Sequence, residues 1–399
     1  MFDEMSANGT REVTWGAMAA RLVAAGIAQD DPRFGALAGQ ISSSGVLTRD
    51  RFVSLAMTTG DLVEKIVNRK LVVPGFPGLA AAIDVLYEEL KSDTRGKVAD
   101  YIPELGKVDP GLFAIAVCTM DGQRHRVGDW AHRFCLQSVS KTVNYAMALE
   151  THDTETVHAH VGREPSGVSF NELVLDRWGR PHNPMINAGA IMTTSMVHAS
   201  LPTAQRRDRI METWSLLAGG KTVGFNDAVY QSERTTADRN FALGYYMREK
   251  KAFPLHTDLL QTLDLYFQCC SLELDTDALA VVAGAFANGG VCPLTDTKVL
   301  FPATVQHCLS LMASCGMYDF SGEFAFTVGL PAKSGVSGAL MIVVPQVMGI
   351  AVFSPRLDEH GNSVRGIELC RKLVETYNVH PCDADVRHTG KRLIGHTDL

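Results

Sequence analysis

The stretch from Phe134 to Leu149, FCLQSVSKTVNYAMAL, constrains this chain more than any other. Apolar positions recur at Val143, Ala146 and Met147, the i, i+3, i+4 spacing of a helix packed on one face, so Ser138 falls near a helix start. Lys141 lies one turn along the same face, within reach of the Ser138 hydroxyl, whereas the adjacent Ser140 points elsewhere. An alcohol is a weak nucleophile at its own pKa. A buried lysine held neutral can take its proton, and a helix N-terminus favours negative charge developing nearby. Taken alone, Ser-x-x-Lys is equally an N-capping serine beside a solvated lysine.

A second element narrows the reading. Lys333-Ser334-Gly335 stands just before the β-prone run Leu340 to Val344. Ser-x-x-Lys at a helix start, followed later by Lys-[Ser/Thr]-Gly on a core strand, resembles the serine β-lactamases and penicillin-binding proteins. Their middle element, Ser-Asp-Asn, is absent.

At 399 residues, 46% apolar and 20% charged, the chain can bury a sizeable core in one large domain with an appendage. A formal net charge of −7 with scattered lysine and arginine provides no basic stripe for nucleic acid and no polybasic membrane anchor. The nine cysteines show no Cys-x-x-Cys and mostly lie inside apolar runs, which reads as free buried thiols in a reducing compartment. The acidic, polar opening lacks the order of a secretory signal or transit peptide, and no apolar run is long enough to span a bilayer. A cytoplasmic location is expected, with neither membrane nor nucleic acid as partner.

Three regions are expected: a helical segment over 1–75, a catalytic domain over 76–379, and a polar tail over 380–399. Pro74-Gly75-Phe76-Pro77-Gly78 is the hinge between the first two. Within the first, Gln40 to Thr48 has the outline of an EF-hand loop with Gly45 at the turn. Gln40, Ser42, Ser44 and Arg51 stand where calcium ligands would be, so the loop reads as degenerate. Leu112 to Thr119, Asp121-Gly122 and Arg124 to Val127 read as a hairpin. A mainly helical middle runs to about Leu330, and a strand pair and a helix over Val364 to Tyr377 close an α+β fold. Gly219-Gly220-Lys221-Thr222 lacks the leading glycine and strand of a phosphate loop. His152, His158 and His160 lack a third ligand at zinc-like spacing. No metal and no cofactor are expected.

The strings Gly96 to Pro103, Pro181 to Ala190, Ser232-Glu233-Arg234, Gly316 to Gly322 and Pro331 to Val336 resemble the serine-dependent glutaminases. That resemblance implies a serine-β-lactamase/penicillin-binding-protein-like sheet flanked by helices, with an inserted helical subdomain. The N-terminal segment is similar to the EF-hand-like one of animal-type members. The implied reaction hydrolyses L-glutamine to L-glutamate and ammonia, with Ser138 as nucleophile, Lys141 as base, Tyr318 as proton relay and Tyr101 beside them. The resemblance assigns Glu233 to the substrate ammonium and Asn187, Asn240 and Tyr266 to its carboxylate. The oxyanion hole comes from the backbone N–H groups of Ser138 and Val336. It also implies a homo-oligomer, dimer or tetramer, and leaves open whether inorganic phosphate activates. Two rivals stand beside it: another acyl-serine hydrolase on the same fold, and an inactive binding protein that retains it.

Overall fold

The computed structural model describes residues 13–38, 45–47, 50 and 62–394. At its centre are five strands, β1 (Ala114–Thr119), β2 (Arg124–Gly128), β3 (Ala332–Ser334), β4 (Ala339–Val344) and β5 (Met348–Phe353), paired antiparallel in the order β2-β1-β5-β4-β3. Ile350 faces Val117 on one side and Ile342 on the other. The expected hairpin is β1–β2, closed by Asp121 and by Gly122 at φ +84°.

The central strands carry apolar residues on both faces, so both must be covered. Small side chains dominate one face: Ala114, Ala116, Cys118, Ala339 and Ala351. Against it packs α7 (Thr276–Ala287), an alanine-rich helix buried along its whole length. Large side chains dominate the other: Ile115, Val117, Leu340, Ile342, Ile350 and Val352, covered by α1 (Phe76–Leu90) and α9 (Val364–Thr376). Small residues let α7 sit close, and the bulk lies where two helices must be filled in against the sheet.

Beyond α7 lie α2 (Ser140–Thr151), α3 (Asn187–Met196), α4 (Asp227–Thr235), α5 (Asp238–Glu249), α6 (Leu259–Cys270) and α8 (Pro302–Cys315). A small second sheet joins Phe134–Cys135, Leu272–Leu274 and Gly224–Phe225. Between His160 and Asn187, in the region expected to be mainly helical, the chain has no regular element.

The N-terminal segment has its own core of Val13, Met18, Leu22, Ile27, Leu62, Val63 and Leu71. Of the expected EF-hand-like loop, Gln40, Ser42, Ser44 and Arg51 lie outside the described residues. Val46–Leu47 pairs with Val13–Thr14. This segment seats on the β1–β2 turn: Lys65 pairs with Asp121 at 2.8 Å, and Gln123 Nε2 donates to the carbonyls of Ala25 and Val73. Arg124, buried, pairs with Asp30 at 2.7 Å and with Asp277 of α7 at 2.9 Å.

The polar stretch after Val379, expected as a tail, returns to the domain as far as residue 394. Asn378 N–H donates to Arg392 O, Lys391 pairs with Asp383 at 2.6 Å, and Val379 and Ile394 pack on the α1/α9 core. Two apolar residues bracketing the polar run, together with these polar contacts, bring it back, although the run itself has no periodicity to announce this.

Candidate active site

Ser138 sits in the 3₁₀ turn Gln137–Val139 that runs directly into α2. Gln137 has φ +47°, a left-handed conformation uncommon for a side chain larger than glycine. Ser140 Oγ donates to Gln137 O at 2.7 Å, so the second serine is spent on the turn and points away from the lysine. Lys141 Nζ donates to Ser138 Oγ at 2.5 Å. The amine is buried, 5.6 Å from the centre of the Tyr266 ring. Burial lowers its pKa to about 8, against the pull of the Cys270 thiol and the Glu233 carboxylate. A pair of this kind has a large neutral-amine fraction near pH 8.

The strand edge meets this turn through a glycine. A Cβ on Gly335 would lie 2.8 Å from Leu136 O and 3.2 Å from Val139 Cγ2, so only glycine lets the end of β3 rest on the serine turn. Val336 follows, its backbone N–H facing the Tyr318 hydroxyl, which also faces Ser138. Tyr318 opens the 3₁₀ turn after α8 at φ +53°, packs on Phe170 at 4.6 Å, and donates to Ser334 O at 3.0 Å. Burial pushes its pKa up by more than these contacts draw it down.

A second polar group adjoins the pair. Glu233, near the end of α4, accepts from the Tyr101 hydroxyl at 2.5 Å, and Tyr101 also reaches Gln137 Oε1 at 3.2 Å. The Tyr101 residue is 52% exposed even though its hydroxyl is buried, so the ring lies over the rim and the oxygen reaches inward. Burial raises the Glu233 pKa, and Tyr101, Gln137 and Lys141 oppose the rise. Asn187, at the first position of α3, donates to Asn240 Oδ1 on α5 at 3.1 Å and accepts from Tyr266 of α6 at 3.3 Å. Every site residue expected from the sequence thus converges, from loops, five helices and a strand end.

Gln137 is the neighbour that sequence reasoning missed. Its place beside the serine was visible, but the backbone geometry that turns its side chain to Glu233 was not. The three histidines are engaged structurally: His152 with Met196 O, His158 with Tyr145 and Val161 O, and His160 with Ala252 O. Gly219-Gly220-Lys221-Thr222 follows a helix, with Gly220 N–H bonded to Ser215 O. Among the described residues, no three histidine, cysteine or acidic side chains gather as a metal site, and no helix is long and apolar enough to cross a membrane.

Fold and site together define a mixed helix-and-sheet protein carrying a buried serine–lysine pair at a helix start, beside the edge of an antiparallel sheet. The Glutaminase family profile matches residues 96–381, and the chain belongs to that family. It is 45% identical over 379 residues to the mitochondrial glutaminase liver isoform of Mus musculus, covering 93% of this chain and 63% of that protein, so it spans a little under two thirds of that relative's length. Against a glutaminase of Trichormus variabilis it is 43% identical over 321 residues, covering 80% of this chain and 95% of that one. Among solved structures, a probable glutaminase, ybaS, superposes with a TM-score of 0.72 at 40% identity, over 77% of this chain and 98% of its own. Mglu in its glutamate form gives 0.71 at 39% identity, over 75% and 68%.

Proposed function

We propose that the chain hydrolyses L-glutamine to L-glutamate and ammonia through a γ-glutamyl ester of Ser138. The observation that carries this is the buried Lys141 amine at 2.5 Å from Ser138 Oγ, with a buried carboxylate, Glu233, in the same pocket. Ser138 Oγ attacks the side-chain amide carbon as its proton passes to Lys141. The oxyanion forms between the N–H groups of Ser138 and Val336, where one such donor is typically worth about 10²-fold in turnover or more. Collapse expels ammonia, which leaves with a proton relayed by Lys141 or Tyr318. Water then adds to the ester, glutamate departs, and Ser138 recovers its proton.

The polar pocket supports an amino-acid substrate. A buried ammonium needs an anion, and Glu233 is the acid there. Binding of the cation favours the ionised form that burial alone opposes. Asn187, Asn240 and Tyr266 form the amide and hydroxyl set proposed for the α-carboxylate, and Tyr101 steadies Glu233 from the rim. The solved relative Mglu exists in a glutamate form, which fits this choice of ligand.

The reading includes the serine-β-lactamase-like arrangement of the sheet, a boundary near residue 75 with a degenerate EF-hand-like unit before it, and a homo-oligomer, dimer or tetramer. The test is ammonia release from L-glutamine and L-asparagine, with and without phosphate, for the wild type and Ser138→Ala. Turnover of glutamine that vanishes in the variant is expected. An inert wild type or an active variant overturns the reading.

A further inference from the structure

Lys333 is fully buried, and the reaction proposed above gives it no part. Its amine is the meeting point of two backbone segments. Nζ donates to Gly316 O at 3.0 Å, in the turn leading to Tyr318, and to Ser334 O at 2.8 Å, at the end of β3. It stands 4.5 Å from the centre of the Tyr318 ring. The Tyr318 hydroxyl donates to that same Ser334 O at 3.0 Å. Ser334 N–H bonds to Gly316 O at 3.2 Å, and a Cβ on Gly316 would lie 1.7 Å from Ala332 O, so the turn is pressed onto the strand. Tyr318 itself holds a left-handed backbone at φ +53°. A tyrosine there relaxes unless its surroundings over-determine it.

From this geometry we infer that Lys333 is a positioning residue for the leaving-group step: it clamps the Gly316–Tyr318 turn to the strand end, so that the Tyr318 hydroxyl is held between Ser138 and Val336. The inference rests on the acyl-serine reading. Lys333 is not a second base, because its donors are turned to carbonyls and away from Ser138. Around it stand the Tyr318 ring, the Lys141 amine and the Cys315 thiol, and among the described residues no carboxylate acts on it. Its hold is therefore made by hydrogen bonds to backbone oxygen and by the ring face. An amine that grips two carbonyls and one ring fixes all three relative to each other.

The test compares Lys333→Met with wild type in steady-state glutamine hydrolysis, alone and in a Tyr318→Phe background. A fall in kcat of about 10²-fold with KM within about threefold is expected, because misplacing a reacting group by an ångström costs about that much. In the Tyr318→Phe background the same replacement should add less than about threefold, since residues that act through one another are not additive. Lys333→Gln, which keeps an amide donor in the pocket, should lose less in kcat than the methionine variant. It carries the test if the methionine variant does not fold. Full additivity with Tyr318→Phe, or a loss that falls on KM as heavily as on kcat, overturns the inference. Ser138→Ala assayed alongside separates the two levels: an active serine variant removes the acyl-serine reading itself, whereas a dead serine variant with an unimpaired Lys333→Met removes only the role of Lys333.

Discussion

Replacing Lys141 with methionine should stabilise the protein near neutral pH while abolishing turnover. Burial takes the amine from its ordinary pKa of 10.5 to about 8. At about 1.4 kcal/mol for each tenfold change, this corresponds to a folded state about 3 kcal/mol less stable wherever folded and unfolded chains both hold the proton. Methionine fills similar space without the charge, but it leaves Ser138 Oγ without the lysine donor, a loss of about 1 kcal/mol. The net expectation at pH 7 is a gain of about 2 kcal/mol for the variant. The sign of the pH dependence follows from the direction of the shift. As pH rises from about 8 to 10.5, the folded wild type releases its proton before the unfolded chain does, so its stability climbs and the variant's advantage disappears. Urea unfolding of both proteins at pH 7 and pH 10 reads this directly, with ammonia release measured on the same preparations. A variant less stable at pH 7, or a gap of the same size at both pH values, would show that the lysine is not held as the structure describes.

Three further outcomes are expected. Gly335→Ala drives a methyl toward Leu136 O, which should part β3 from the serine turn and lower kcat by about 10²-fold, with a lower melting temperature; unchanged kinetics would refute that close approach. Glu233→Gln removes the proposed partner of the substrate ammonium, and KM should rise by roughly 30-fold or more. Because Glu233 raises the Lys141 pKa, the acid limb of kcat/KM should also move to lower pH, and a limb that moves up contradicts the assignment. Asp121→Ala deletes the acceptor for Lys65 and for Val72 N–H, with an expected loss of about 1–3 kcal/mol; hydrogen exchange should rise first in the N-terminal segment, and a uniform rise would count against local docking.

The parts of the chain with a simple period were readable from sequence. The i, i+3 spacing put Lys141 over Ser138, and Asp121-Gly122 announced the hairpin. The residues proposed for the substrate pocket could be named only through family likeness, because Asn187, Glu233, Asn240 and Tyr266 lie on four separate helices and no local pattern relates them. Backbone states carry no such signal. The left-handed Gln137 and Tyr318 look like ordinary residues in sequence, and what holds them is a set of contacts from remote segments. Likewise, the split between a small-residue face and a bulky face of the sheet shows only once strand register is known. Residues 380–394 read as a tail because their anchors, Val379 and Ile394, are single apolar residues far apart.

The seat of the N-terminal segment on the β1–β2 turn has a consequence for how such a chain can be cut and joined. Arg124 reaches Asp30 on one side and Asp277 of α7 on the other, and Arg126 bridges the same two carboxylates. The proposed boundary near residue 75 is thus keyed: one of the acids that balance the paired guanidinium groups belongs to the segment in front of it. A version trimmed at that proposed boundary would keep the candidate site residues but would present two cations sharing a single carboxylate, along with the bare amide of Gln123. Any replacement segment would have to supply an acid at that corner, which makes the corner a filter on which front ends the rest of the chain can accept.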